Sequence, residues 1–164
     1  MSIKQYRKFV PKGDRFFVYV AGPISKGDWD HNMRQATRAY ITLVHAGLTP
    51  FVPHATSQLV RDYVPDEAMR GLGTDSYEFW LDYDFSYIRD VCDCILRLPG
   101  ESWGTDREEE YATALSMPVF EDMVAVFDFA ENLGLYVNRE AALEFERRFD
   151  ALHTQEHKNS VRIG

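Results

Sequence analysis

The stretch RFFVYVA at residues 15–21, which runs directly into Gly22 and Pro23, decides the fold class of this chain. A continuous apolar run closed by a turn is typical of a parallel strand that is buried on both faces. Shorter runs of the same kind follow at residues 48–52, 92–98 and 118–120. We therefore expect a sheet of parallel strands whose first member is the opening stretch.

Helical patterns separate the predicted strands. The first follows candidate caps at Asp28 and Asp30 and stops at Gly47, and its recurring apolar residues are Met33, Ala36, Tyr40, Leu43 and Val44. Further helices are predicted at 76–91, from Thr105 onward, and at 138–153, the last with Ala142, Phe145, Phe149 and Leu152 on one side. Alternating strands and helices predict an α/β fold, a single Rossmann-like (flavodoxin-like) domain whose mostly parallel sheet is flanked by helices.

The predicted domain occupies residues 16–153. It is preceded by a basic N-terminal arm at 1–15 and followed by a polar tail at 154–164. Residues 55–75 show the weakest pattern, which favours a long loop or a short irregular helix. Because that segment follows a strand at the expected ligand-binding edge, it is a candidate active-site flap.

The charge balance excludes two classes of partner. The 164 residues include 26 Asp and Glu against 18 Lys and Arg, a net charge of -8. This argues against binding to polymeric nucleic acid or to an anionic membrane. No apolar run approaches the roughly 18 residues of a membrane span, and the basic N-terminus lacks the apolar core of a secretion signal. We therefore expect a cytoplasmic protein.

The sequence holds no pattern that indicates a metal or a cofactor. Cys92 and Cys94 lie in an apolar run, where they are expected to be small buried residues rather than ligands of zinc, which usually needs four. Neither a P-loop nor a G-x-G-x-x-G motif is present. We therefore expect a protein without metal or cofactor.

The chemistry is expected at one edge of the sheet. In open parallel sheets, ligands bind beyond the carboxyl ends of the strands and near the N-termini of the helices. Residues 22–27, 53–57 and 100–105 each follow a predicted strand. These segments are therefore predicted to meet at the same edge.

Several residues in these segments are suited to ligand contact. Gly22 and Gly104 would let backbone N–H groups approach a ligand, and Ser102 could join Gly104 and Thr105 in an anion-binding nest. His54 is a candidate polar contact, although a lone histidine is more often structural. A Ser-His-Asp triad stays open, without support from a G-x-S-x-G motif.

Asp84 is a candidate general acid. It lies four residues after Trp80 and four before Ile88, on the apolar face of the predicted helix, whereas Asp82 and Asp90 point away. A carboxyl group on a buried face must find a partner or have a raised pKa. The alternatives are a buried aspartate that caps a neighbouring loop and an acid in a pocket.

Glu108 and Tyr19 are further candidates at the same edge. Residues 105–108 match the capping-box pattern, so Glu108 either bonds back to the Thr105 backbone or acts on a ligand from the packed face it shares with Ala112. Tyr19 ends the first strand, where it is either a core residue with a hydrated hydroxyl or part of the site.

Three motifs together resemble the nucleoside 2-deoxyribosyltransferase family, including its deoxynucleoside 5′-monophosphate N-glycosidase branch. Residues 18–24 (VYVAGPI) are similar to the opening strand and turn of the family. Asp84 stands on the helix that precedes the third strand. Residues 102–108 (SWGTDRE), followed by Ala112, match the S-x-G-x-x-x-E-x-x-x-A signature. The resemblance covers roughly residues 16–120.

The resemblance implies roles for individual residues. Glu108 matches the nucleophile that attacks the anomeric carbon, Asp84 the acid that assists departure of the base, and Tyr19 a residue at the sugar. Ser102 matches a serine that helps to bind phosphate in the hydrolases, where the transferases have a carboxylate. Together with the candidates found from the residues themselves, the predicted substrate-binding residues are Gly22, Pro23, Ile24, Ser25, His54, Ser102 and Gly104. The sequence departs from the family at two points. Ser25 stands where the hydrolases have an arginine, for which Lys26 could substitute. The interval from Asp84 to Asp93 is one residue longer than usual, which leaves Asp82 as an alternative acid.

The resemblance implies an N-glycosidase that cleaves the base–sugar bond of a (deoxy)nucleoside 5′-monophosphate through a covalent glycosyl-Glu108 intermediate. The alternatives are a deoxyribosyltransferase that exchanges bases and a non-catalytic nucleotide-binding sensor. The implied partner is a small nucleoside or nucleotide. The family also implies a homodimer or higher homo-oligomer, for which the aromatic-rich segment 124–136 supplies either an interface or intramolecular packing.

Overall fold

Four parallel strands form the sheet of the computed structural model, which describes residues 15–161 and the side chains of residues 15–154. In sheet order β2-β1-β3-β4, the strands are β1 (Phe17–Ala21), β2 (Thr49–Phe51), β3 (Cys94–Arg97) and β4 (Val119–Phe120). This is the strand order of the first four strands of flavodoxin-like folds. The predicted α/β class and parallel sheet are confirmed. Residues 1–14 of the predicted basic arm lie outside the described residues.

Strand β1 lies at the centre of the sheet because it pairs with two neighbours. Tyr19 is in register with Phe51 of β2 and with Ile95 of β3. Its last four residues are buried, as the continuous apolar run predicts. The carboxyl ends of these three strands therefore lie side by side, and the segments that follow them meet at one edge.

Seven helices accompany the sheet in the described part of the chain. They are α1 (Trp29–His45), α2 (Pro53–Tyr63), α3 (Asp66–Met69), α4 (Tyr77–Asp90), α5 (Trp103–Ala114), α6 (Met123–Asn132) and α7 (Arg139–Val161). Side chains cap the starts of some of these helices: Asp28 accepts a hydrogen bond from the N–H of His31, and Ser76 accepts one from the N–H of Phe79. Between residues 15 and 161, no helix combines the length and apolar character of a membrane span.

The alternation of side chains along β1 divides the core into two layers. Val18 and Val20 pack with residues of α1, α6 and α7 on one face of the sheet. Tyr19 and Ala21 point to the other face, where they pack with Ile88 of α4 and other residues of α4 and α5. The candidate acids Asp84 and Glu108 belong to those two helices, so the second layer positions the site. Both cysteines are buried, as predicted.

The prediction for residues 55–75 is wrong for its first half. Helix α2 covers Pro53–Tyr63 as a regular helix, with a proline in its first turn. Only Pro53 and His54 are buried on it, so it packs against the core mainly through its first turn. The short helix α3 and a run of turns fill the rest of the segment.

The predicted capping box at 105–108 is also wrong. Helix α5 begins at Trp103, and its N-cap is Ser102, whose hydroxyl accepts a hydrogen bond from the N–H of Thr105. Because Ser102 already occupies that position, the Glu108 carboxyl is available for a contact elsewhere.

Two predicted apolar faces are only partly buried. On α1, Ala36 and Leu43 are buried as expected, whereas Tyr40 and Val44 lie at the surface. On α7, Ala142 is buried but Leu152 is exposed, and the helix continues to Val161, eight residues past the predicted end.

The segment 124–136 packs mostly within the chain. Val126, Phe127 and Ala130 of α6 belong to the core, whereas Tyr136 is largely exposed. This burial favours the intramolecular alternative for most of the segment. The homo-oligomer stays a prediction.

Candidate active site

A pocket of about 420 Å³ opens at the carboxyl edge of the sheet. Its walls are the turn after β1, the start of α2, the first half of α4 and the first two turns of α5. Seven of the sequence-predicted site residues line it: Gly22, Ile24, Ser25, Asp84, Ser102, Gly104 and Glu108. Residues that are separated by more than 80 positions in the sequence are thereby brought to one cavity.

Glu108 lines the pocket, and Tyr19 lies behind it: Tyr19 is fully buried and is not among the residues that line the cavity. The Tyr19 hydroxyl donates a hydrogen bond of 2.7 Å to Oε1 of Glu108, and the contact is buried. Tyr19 is fully buried, so the alternative of a core tyrosine with a hydrated hydroxyl is wrong. Burial and the nearby Glu108 carboxyl raise the pKa of Tyr19 well above its usual value. The hydroxyl therefore keeps its proton and acts as a fixed donor to Glu108.

The two candidate acids share one electrostatic environment. Burial raises the pKa of Glu108 to about 8 and that of Asp84 to about 7. The negative charge of Asp84 also contributes to the rise at Glu108. Carboxyl groups that interact in this way titrate as a pair, so the pair retains a proton near neutral pH.

Two groups favour the ionised form of Glu108. The Tyr19 hydrogen bond lowers the pKa of Glu108, and so does the positive charge of Arg97. The Tyr19 hydroxyl also lowers the pKa of Asp84, but its single proton is directed to Glu108 Oε1. Even so, the pKa of Glu108 stays the higher of the two, so the ligand-free pair holds its proton at least as much on Glu108 as on Asp84.

The acidic surroundings of Glu108 are largely neutralised by arginines. Arg97, at the end of β3, forms ion pairs with Asp106 and Glu109 on the first turns of α5. Arg107 pairs with Glu110 on the same helix at 3.1 Å. The cluster of acids around residue 108 therefore presents less negative charge to the pocket than the sequence count indicates.

Gly22 and Gly104 are required by close packing. A Cβ on Gly22 would lie 2.9 Å from the Leu98 Cβ, and one on Gly104 would lie 2.0 Å from the Tyr77 hydroxyl. Real Cβ atoms do not approach neighbours so closely. Both glycines therefore let neighbouring groups come against the backbone at the pocket edge.

His54 lies behind the wall of the pocket. It is 2% exposed, is not among the residues that line the cavity, and its Nε2 lies 3.0 Å from the Pro23 carbonyl oxygen. Burial lowers the pKa of His54 to about 4, so the ring is neutral and Nε2 is the donor. His54 and Pro23 hold the turn after β1 in place from behind rather than facing the cavity.

The turn after β1 is held from the other side by Asn32, a residue that the sequence analysis missed. Its side-chain amide donates to the carbonyl oxygens of Ile24 and Lys26, at 3.0 and 2.8 Å. Lys26 lines the pocket and pairs with Glu101 at 2.6 Å, with both side chains mostly exposed. Nothing in the sequence alone distinguishes Asn32 from an ordinary polar residue in a helix.

An aromatic wall is the second feature that sequence analysis missed. Tyr77, Trp80 and Tyr83 line one side of the pocket from α4, and Trp103 and Trp29 complete it. The rings of Tyr77 and Trp103 lie 4.9 Å apart. The i, i+3, i+6 spacing of the three α4 aromatics, next to Asp84, is the signal that predicts such a wall.

The described residues contain no group of three or more His, Cys, Asp or Glu side chains that could hold a metal ion. The pocket is instead a cleft of aromatic rings, hydroxyls and two carboxyl groups. Such a cleft is suited to a small ligand that combines a flat apolar part with a polar, acid-sensitive bond.

Comparison with known proteins gives one structural likeness. No family model matches the chain, and no curated protein matches its sequence. The fold is similar to that of a 2-deoxyribosyltransferase from the psychrotolerant bacterium Bacillus psychrosaccharolyticus, with a TM-score of 0.45 and 18% identity. The alignment covers 65% of this chain and 75% of that chain. A likeness of this size supports no argument about function, which must come from the pocket itself.

Proposed function

We propose that this protein is an N-glycosidase that cleaves the base–sugar bond of a (deoxy)nucleoside 5′-monophosphate. The observation that supports this most strongly is the pair Glu108 and Asp84, two carboxyl groups that line one pocket and whose pKa values are both raised by burial. A pair of carboxyl groups with different protonation states is what glycosidic bond cleavage requires.

Glu108 is the proposed nucleophile. Cleavage of an N-glycosidic bond builds positive charge on the sugar, and an ionised carboxylate beside the anomeric carbon stabilises this charge or bonds to it. The Tyr19 hydrogen bond and the positive charge of Arg97 favour that ionised form. Burial keeps water away from the carboxylate, which strengthens its electrostatic effect on the sugar.

Asp84 is the proposed general acid. In the first step, its proton passes to the departing base, the bond from the anomeric carbon to nitrogen breaks, and a bond to a Glu108 oxygen forms. In the second step, ionised Asp84 takes a proton from water, which attacks the anomeric carbon and releases Glu108 and the sugar phosphate. Asp82 is exposed, which supports Asp84 over the alternative acid.

The aromatic wall is the proposed site of the base. Tyr77, Trp80, Tyr83 and Trp103 present ring faces and edges to the pocket. Stacking against such rings is favourable for a heterocyclic base and does not depend on its polar edge. Tyr77, Trp80 and Tyr83 lie on the same helix as Asp84, so a base that packs against them is next to the proposed acid.

The start of α5 and the turn after β1 are the proposed site of the phosphate. Backbone N–H groups at a helix N-terminus attract anions, and Ser25, Lys26, Ser102 and Gly104 line that end of the pocket. Lys26 pairs with the exposed Glu101, an interaction that is weak in water. A bound phosphate would therefore compete for Lys26 at little cost.

Base exchange is the nearest alternative, because it differs only in the acceptor that resolves the glycosyl-enzyme. A serine rather than a carboxylate at position 102 favours the hydrolase. A nucleotide sensor would use the same pocket without turnover.

The test is base release from a panel of ribo- and deoxynucleoside 5′-monophosphates and the corresponding nucleosides, followed by chromatography with and without a free acceptor base. We expect release from a monophosphate without an acceptor, its loss in Glu108→Gln, and its retention in Glu110→Gln, which alters an exposed neighbour on the same helix. Release only with an acceptor would favour the transferase. Binding without release would favour the sensor.

A further inference from the structure

Thr105 carries a buried hydroxyl that forms no hydrogen bond with any described residue. The residue is 1% exposed, and its Oγ1 has no hydrogen-bond partner. A helical threonine ordinarily can bond to the carbonyl one turn earlier, as Thr37 does to Met33 at 2.7 Å. A buried hydroxyl left without a partner is unfavourable and requires an explanation. Thr105 lines the pocket, so a ligand can supply the missing partner.

Tyr77 places a second hydroxyl beside the same turn of α5. A Cβ placed on Gly104 would lie 2.0 Å from the Tyr77 hydroxyl oxygen, and the Tyr77 ring packs against that of Trp103. No hydrogen bond joins this hydroxyl to the described residues. Burial of the group and the charges of Glu108 and Asp84 raise the pKa of Tyr77 to about 12. The hydroxyl therefore stays protonated and can donate.

The position of Thr105 on α5 relates both hydroxyls to the proposed reaction. Thr105 and Glu108 lie three residues apart on the buried face, about 4.5 Å along the helix axis at 1.5 Å per residue. Ser102 lies the same distance further toward the helix start. If the anomeric carbon of the substrate lies at Glu108 and its phosphate lies near Ser102, the sugar oxygens between them lie beside Thr105.

We propose that Tyr77 and Thr105 form a hydroxyl subsite that holds a sugar oxygen of the substrate, either the 3′ hydroxyl or the 5′ oxygen. This subsite rests on the proposed function, because it is placed by the anomeric carbon at Glu108. Both hydroxyls are uncharged. They suit a neutral oxygen in the field of the carboxyl pair, whereas the charged phosphate lies further out.

The test removes each hydroxyl with little change of shape. Thr105→Val and Tyr77→Phe are made in a Glu108→Gln background that prevents turnover, and the four common 2′-deoxynucleoside 5′-monophosphates are titrated by calorimetry. Loss of one uncharged hydrogen bond weakens binding about 3- to 10-fold, so each variant is expected to fall in this range. Thr113→Val on the exposed side of α5 and Tyr136→Phe are the matched controls, and both are expected to bind as the background does.

The stability of the ligand-free Thr105→Val variant is a second measurement, and it would change if the Thr105 hydroxyl had a structural role instead. Thr105→Val replaces an unpaired hydroxyl with a methyl group, so the ligand-free protein is expected to be as stable as the wild type or more stable. A clear loss of stability would show that the hydroxyl has an internal partner, which would overturn the subsite.

The remaining outcomes separate the subsite from the proposed function. If the wild type releases base but both variants bind as the controls do, the subsite is wrong and the N-glycosidase remains. If the wild type neither binds nor cleaves any nucleotide, both are wrong. Titration with 2′,3′-dideoxynucleoside 5′-monophosphates identifies the oxygen. If the two variants still bind these nucleotides more weakly than the background does, the subsite holds the 5′ oxygen. If they bind them equally well, it holds the 3′ hydroxyl.

Discussion

Glu108→Gln is expected to stabilise the folded protein at alkaline pH. The Glu108 side chain is buried, and burial raises its pKa from the usual 4.5 to about 8. The folded state therefore binds more protons than the unfolded state between these pH values, so the wild type loses stability as pH rises through them. Glutamine has nearly the same shape and cannot ionise, so the variant avoids that loss.

The magnitude follows from the pKa difference. One pKa unit corresponds to about 1.4 kcal/mol, so the rise at Glu108 sets an upper limit of roughly 5 kcal/mol. Part of this is shared with Asp84, whose ionisation is coupled to that of Glu108. We therefore expect the free energy of unfolding of Glu108→Gln to be roughly 2 to 4 kcal/mol higher than that of the wild type at pH 9 and equal to it near pH 5.

The assay is urea unfolding followed by circular dichroism at several pH values from 5 to 9. Glu110→Gln is the control, because its side chain is exposed on the same helix. The difference between variant and wild type cancels the titration of other groups, including the buried His54. A difference that stays constant with pH, or a variant that is less stable at pH 9, would refute the assignment of Glu108 as a buried, charge-bearing carboxylate.

Four further substitutions test the site in activity assays. Tyr19→Phe removes the donor that lowers the pKa of Glu108, the higher of the two, so the alkaline limb of the pH–rate profile should move upward by about one unit and base release should slow; an unchanged profile would contradict this. Asp84→Asn should remove the alkaline limb and slow base release by about 100-fold or more, and a wild-type alkaline limb in this variant would assign the acid elsewhere. Lys26→Ala should raise KM for a monophosphate about 10-fold and leave KM for the nucleoside unchanged, whereas Glu101→Gln, which removes the competing ion pair, should lower KM for the monophosphate. Equal effects of the Lys26 and Glu101 changes on nucleoside and monophosphate would argue against a phosphate at this end.

The fold could be predicted because its signals are local. The apolar run of β1 and the turn at Gly22 indicate a buried parallel strand, and the apolar stripe of residues 76–91 locates α4 within one residue at each end. The start of α2 could not be predicted in the same way. Its first residue, Pro53, fits the first turn of a helix as well as the loop after a strand, and only Pro53 and His54 of the helix are buried.

The candidate site could be predicted only where one residue carries the signal. Asp84 lies on an apolar helix face, and Glu108 lies on a packed face at the sheet edge, so both stand out in the sequence. The contact between Tyr19 and Glu108 joins residues that are 89 positions apart, and only the sheet register brings them together. Asn32, Tyr77 and Thr105 owe their roles to tertiary packing.

The proposed covalent role of Glu108 is tested most directly by trapping the intermediate. The protein is mixed with a cleavable 2′-deoxynucleoside 5′-monophosphate, quenched with acid within the first turnovers, and digested for mass spectrometry. We expect the mass of a deoxyribosyl phosphate added to the peptide that contains Glu108, and its absence in Glu108→Gln. Base release by the wild type with an unmodified Glu108 peptide, together with undiminished release by Glu108→Gln, would contradict the central claim.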